Sequence, residues 1–206
     1  METNWAAEHL QTIRVLMERS AIYRRALAPI LIYVGLAGVL AAAVGVVFHL
    51  DSTRVFGELW LATAVVAVGG SLIITRRQAL KDHEPFWSPP TRRVAQALLP
   101  SLTAGMCLGV AVTVSGADED FSLLLAFLWL FFYGCALHAA GFFAPRGVKL
   151  FGWIFIASAA VLLAAAQFTD SDLGIKPHWL MGFFFGVLHL AYGAYLYLTG
   201  KGKNAA

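Results

Sequence analysis

At 206 residues the chain has room for one ordinary domain, yet 59% of it is hydrophobic and only 13% is charged, against roughly 45–50% and about 25% in soluble globular proteins. That much apolar surface excludes a soluble fold, and the formal net charge of +3 is too small to make nucleic acid the natural partner.

Residues 1–25 come first and are organised. Wound at 100° per residue, Trp5, Ala6, His9, Leu10, Ile13, Leu16 and Met17 share one face, while Glu8, Gln11, Arg14, Glu18 and Arg19 take the other. This predicts a cytoplasmic amphipathic helix. Lying flat on the membrane, it places Trp5 in the interface and Arg14, Arg19, Arg24 and Arg25 near anionic headgroups. Packing over the bundle end and docking to another protein are the alternatives.

Six apolar stretches follow, at 26–50, 57–75, 94–115, 121–144, 150–168 and 178–199, and a short tail, 200–206, closes the chain. Each is near the roughly 20 residues that carry a helix across about 30 Å of hydrocarbon. None alternates with the period of two that membrane strands require, so helices must satisfy the backbone. The fold class is therefore all-α: a polytopic bundle of six transmembrane helices, preceded by the amphipathic helix. Pro29 sits near the start of its helix and Pro100 in the first turns of the third, where a slight bend is expected.

The connections set the orientation. All fifteen Lys and Arg residues except Arg54 and Lys176 fall on one side if the amino terminus is inside, which predicts an N-in, C-in topology. The longest connection, 76–93, carries Trp87-Ser88-Pro89-Pro90 between basic clusters and is expected as a tethered loop. Trp87, Arg92 and Arg93 are its membrane-surface residues, and Arg76, Arg77, Arg92 and Arg93 together form a candidate headgroup site. On the other side, Asp51, Glu58, Asp118, Glu119, Asp120, Asp170 and Asp172 read as solvated carboxylates rather than as a divalent-cation site, since no EF-hand spacing occurs. Glu58, in the first turn of its helix, suits the helix dipole.

Ile13 to Ser20, Trp87 to Arg93, Phe132-Tyr133-Gly134 and Gly186 to Gly193 together resemble a family of multi-spanning bacterial membrane proteins with no assigned activity. The resemblance spans most of the chain and implies a bacterial inner-membrane protein. After position 138 the chain departs from that pattern, with Ala139-Ala140-Gly141 where more polar residues are expected.

Polar groups in hydrocarbon are costly and therefore informative. Gly182, Gly186, His189 and Gly193 fall on one stripe of the sixth helix, and Gly134, His138 and Gly141 on one stripe of the fourth. Glycine stripes admit close backbone approach, so both histidines are expected inside the bundle. The ordinary role is an interhelical hydrogen bond. The cofactor reading has His138 and His189 as paired axial ligands of a haem b iron, although their depths differ by roughly 6–8 Å at 1.5 Å per residue. A proton or ion relay is a third.

Catalytic patterns are missing. Six crossings and a late histidine are similar to rhomboid intramembrane proteases, but Gly134-Cys135-Ala136 holds no serine and Ser122 lies at the helix end. Cys107 and Cys135 have no redox or zinc spacing. The expectation is a non-enzymatic integral inner-membrane component without a metal, in contact with anionic lipids at the cytoplasmic face. It would pack on another membrane protein or on itself through Gly182 and Gly186. A small transporter or channel, or a haem-bearing redox subunit, is the alternative.

Overall fold

A computed structural model describes residues 26–83, 85–115, 121–168 and 174–202. The amphipathic segment with Trp5, Arg14, Arg19, Arg24 and Arg25 lies outside the described residues, as do Asp118, Glu119, Asp120, Asp170 and Asp172. Among the described residues all regular structure is helical. Six helices among these residues are long and apolar enough to cross a membrane.

We number them α1 (Ala26–Val47), α2 (Thr53–Lys81), α3 (Pro89–Ser115), α4 (Phe121–Ala140), α5 (Arg146–Phe168) and α6. The last is one helix in three parts: Pro177–Met181, a π-helical stretch Gly182–Val187, and Leu188–Gly202. Large apolar side chains such as Leu40, Val47, Val65, Val114 and Val161 point outward and are exposed. A soluble monomer would not carry so many. The fold is that of a multi-pass membrane protein.

Local chemistry explains the ends. At the end of α1, His49 takes a left-handed φ of 52°. The amides of His49 and Leu50 then bond the carbonyls of Val46 and Gly45, at 3.4 and 2.9 Å. This paired closure satisfies carbonyls a helix end otherwise orphans. It stops α1 at Val47, short of residue 50. His83, with φ 53°, ends α2, its amide bonding the Leu80 carbonyl at 3.3 Å.

The loop expected at residues 76–93 is shorter than its polar composition suggests. Arg76 and Arg77 continue α2, and Pro89 and Pro90 open α3. In a first turn the missing proline amides cost nothing, because those donors have no intrahelical partner. Ser88 precedes them, its hydroxyl 2.9 Å from that of Thr91. Glu58 also differs from expectation. It stands beyond the first turn of α2 and accepts from Arg54 Nε at 3.0 Å, so an exposed ion pair replaces the helix-dipole role.

Glycines decide which helices touch. An added Cβ at Gly35 would lie 2.8 Å from the Leu190 amide, at Gly186 3.0 Å from the Val39 amide, and at Gly193 3.0 Å from the Ile32 amide. Gly182 meets Ala42 at 2.6 Å. These pairs run antiparallel, so α1 and α6 are close-packed neighbours. The stripe expected to serve self-association is covered by α1 of the same chain. Gly134 and Gly152 bring α4 and α5 together in the same way, and Gly141 meets Lys149. Gly105 and Gly109 receive Phe132 and Trp129 from α4, and Trp129 Nε1 donates to the Gly105 carbonyl at 2.9 Å. Tyr33 ties α1 to α2 through the Val66 carbonyl, 3.0 Å away. The bundle core lies among Phe56, Trp60, Leu130, Phe155, Met181 and Phe184.

Candidate functional site

The π-helical stretch of α6 leads directly into His189. In that wider winding the Leu188 amide reaches back five residues to the Phe183 carbonyl, and such turns recur at functional positions. His189 is fully buried, and its Nδ1 lies 2.9 Å from the Phe184 carbonyl. A carbonyl only accepts, so Nδ1 carries the proton. Nε2 is then an acceptor and receives the Tyr133 hydroxyl at 2.7 Å. Both ring nitrogens are engaged.

Aromatic rings jacket the pair. Phe151 and Phe155 stand edge-on to His189 at 5.1 and 5.6 Å, while Phe185 stacks at 13° between planes. The hydrogen-bond chain runs from Tyr133 through His189 and stops at a backbone carbonyl. A carbonyl offers no second site for a proton, so the geometry is that of a lock between α4 and α6 rather than a relay.

His138 has different surroundings. Its ring packs on Phe142 at 5.5 Å and Trp153 at 5.1 Å, and its buried Nδ1 has no hydrogen-bond partner among the described residues. Among these residues it shares no ring neighbour with His189. For His189 to ligate an iron through Nε2, the Tyr133 hydroxyl would first have to leave. Of the remaining residues singled out in the sequence, Trp87, Arg92 and Arg93 are exposed at the α2–α3 connection. Cys107 is exposed and Cys135 partly buried.

Tyr133 and His189 form part of the wall of a partly open cavity of about 450 Å³ lined mainly by α1, α2, α3, α4 and α6, with Val148 of α5 at its edge. That volume lies in the range of small-molecule sites, roughly 300–1,000 Å³. Along α3 the wall runs from Thr91 to Met106, a rise of roughly 22 Å at 1.5 Å per residue. Its deep end is formed by Trp60, Trp129, Tyr133, Met181, Phe185 and His189.

The polar residues there do not make it polar. Trp60 Nε1 donates to His178 Nδ1, Trp129 Nε1 to Gly105, Tyr133 to His189, and His189 Nδ1 to Phe184. No ring donor at the deep end is left for a ligand. On α2, the wall hydroxyls of Thr63, Ser71 and Thr75 bond the carbonyls four residues earlier, at 2.8, 2.7 and 2.8 Å. Side chains that turn back on their own helix in this way present mainly methyl and methylene surface. Ser101 is the wall hydroxyl left without a partner among the described residues.

At the other extreme the cavity is bounded by Ala79, Phe86, Trp87, Ser88 and Thr91. This is the basic end of the bundle, where Arg76, Arg77, Lys81, Arg92 and Arg93 are exposed. The ion pair seen among the described residues, Arg54–Glu58, is on the opposite end.

His178 was not singled out in the sequence, where it marked only a helix start. It is 1% exposed. Its Nε2 donates to the Leu50 carbonyl at 2.9 Å, and its Nδ1 accepts from Trp60 at 3.2 Å. A Cβ at Gly45 would collide with its ring, so Gly45 is the seat that lets the imidazole reach both partners. Three helices meet at this side chain. Set beside known proteins, the chain matches no family model, no curated protein and no solved structure, so the resemblance carried by its motifs assigns no family.

Proposed function

We propose that this protein is a non-enzymatic multi-pass membrane component that binds an apolar molecule in the cavity between α1, α2, α3, α4 and α6. The proposed setting is a bacterial inner membrane, with both termini and the basic end of the bundle on the cytoplasmic face. The distribution of Lys and Arg supports that orientation.

One observation carries the binding reading: the cavity is long, and the ring donors at its deep end are already bonded within the protein. A ligand that needed hydrogen bonds there would find none, whereas a hydrocarbon body loses nothing on entering. Apolar surface removed from water contributes about 25 cal/mol per Å². From within a bilayer that gain is smaller, and shape fit to the walls has to supply the selectivity.

The test is saturable binding of a hydrocarbon probe, diphenylhexatriene, to protein in nanodiscs, compared with Ala67→Phe. Ala67 is a small wall residue of α2, and a phenyl group there fills the cavity. Loss of saturable binding at an unchanged melting temperature is the expected result. Equal binding by the variant would contradict the reading.

A further inference from the structure

The cavity proposed above to hold an apolar molecule extends to the basic end of the bundle, and this juxtaposition identifies the other end of its ligand. The α2 wall ends in Leu72, Thr75 and Ala79, and the α3 wall begins with Thr91, Val94 and Ala95. At 100° per residue Arg76 stands only 40° around α2 from Leu72, and Arg92 about 60° around α3 from Ala95. Each arginine therefore stands beside one wall at that end, adjoining the lining residues without being one of them. Arg77 and Arg93 fall on the far sides of their helices.

Among the described residues neither Arg76 nor Arg92 has an acidic partner. The carboxylate nearest Arg76 in sequence, Asp82, accepts from Gln78 Nε2 at 3.0 Å, Glu84 lies outside the described residues, and among the described residues no acidic side chain lines the cavity. Two guanidinium groups without an acidic partner among the described residues, beside the basic end of an apolar cavity, favour an anion at that position. The deep end sets the opposite preference, because its ring donors are engaged within the bundle. Dimensions select further. A volume of about 450 Å³ spread over roughly 22 Å of helix rise leaves a mean cross-section of about 20 Å², a passage for one chain rather than two.

We infer that the ligand is a single-chain anionic amphiphile, a long-chain carboxylate whose tail occupies the cavity and whose carboxylate lies at the mouth with Arg76 and Arg92. The inference rests on the binding reading above and adds the head group. Ser88 and Thr91, which share a hydrogen bond at the rim, retain acceptor and donor capacity towards bound water there.

The experiment compares radiolabelled palmitate with hexadecanol, equal in length but uncharged, in nanodiscs of zwitterionic phosphatidylcholine. Wild type, Ala67→Phe and the double variant Arg76→Gln/Arg92→Gln are measured, with thermal unfolding as the folding control. Palmitate is expected to bind about tenfold more tightly than hexadecanol, and the double variant to lose that factor for palmitate alone. Ala67→Phe is expected to abolish binding of both. Should the double variant fold poorly, wild type decides by itself: rising salt must weaken palmitate and leave hexadecanol unchanged.

Equal binding of the two chains, both blocked by Ala67→Phe, would overturn the head-group assignment while the cavity reading stands. Binding of neither would overturn both. Palmitate binding that responds to the arginines but not to Ala67→Phe would mean adsorption at the basic surface, and the inference would fall. Displacement of palmitate by diacyl phosphatidylglycerol at equal potency would refute the single-chain assignment.

Discussion

Tyr133 of α4 donates its hydroxyl to Nε2 of His189 on α6 across 2.7 Å, and the opposite ring nitrogen is held by the Phe184 carbonyl. The pair fastens two helices in the middle of an apolar bundle. It also withdraws both polar side chains from the cavity they border, so one arrangement serves the fold and the character of the site.

Replacing Tyr133 by Phe removes the donor and leaves His189 Nε2 buried without a partner. Interhelical hydrogen bonds in membranes average about 0.6 kcal/mol and reach about 1.7. Here the jacket of aromatic rings offers no substitute donor, so a loss of about 1–2 kcal/mol is expected. Unfolding of Tyr133→Phe, His189→Leu and the double variant in mixed micelles measures it. The double variant should be less destabilised than the sum of the singles; strict additivity would show that the bond does not couple the helices.

Gly45 and Gly69 make a matched pair for the His178 contact. Gly45→Ala drives a methyl group into the His178 ring, and overpacking of this kind costs typically 1–3 kcal/mol. Gly69 has nothing within 4 Å of an added Cβ, so Gly69→Ala should be neutral or gain up to about 1 kcal/mol of helix propensity. Melting temperatures of the purified variants decide the matter. Similar values for both would place the His178 seat elsewhere.

Gly186→Leu should injure the fold and leave the oligomeric state alone, because Gly186 faces Val39 of α1. A drop in stability of at least about 1–3 kcal/mol is expected. Crosslinking and light scattering should be unchanged at temperatures where the variant stays folded. A selective loss of dimers at full stability would restore this face to self-association.

Orientation is checked with single cysteines at Asp51 and Lys201 in a background lacking Cys107 and Cys135. A membrane-impermeant maleimide applied to the cytoplasmic side of inverted vesicles should label Lys201→Cys and spare Asp51→Cys. The reverse pattern would invert the bundle.

Hydropathy made the six helices legible, since length and apolar composition are properties of a contiguous stretch. Their ends were less so. Residues 48–50 are apolar enough to continue α1, but His49 adopts a left-handed conformation that ends it. Arg76 and Arg77 look like loop, yet they extend α2 because a helix entering the headgroup region can carry solvated cations. Pro89 and Pro90 read as breakers although they open α3.

The site itself was only half legible. His189 was identifiable as a polar group on a glycine stripe, but its partner, Tyr133, lies 56 positions away and carried no signal of its own. Trp60 and His178, 118 positions apart, are in the same position. The π-helical turn and the cavity arise from how helices pack, and no local pattern encodes them. For the glycine stripes, the sequence marks the close approach but not the helix that makes it.

The central claim, an apolar ligand chamber inside the bundle, is tested most directly by photolabelling with a sixteen-carbon chain that carries a diazirine at its far end. Peptide mapping should place the label near Met106, Phe132 and Tyr133, with loss of that label under excess unlabelled chain and in Ala67→Phe. Label confined to outward-facing residues such as Leu40, Val65 and Val114, and indifferent to Ala67→Phe, would contradict it.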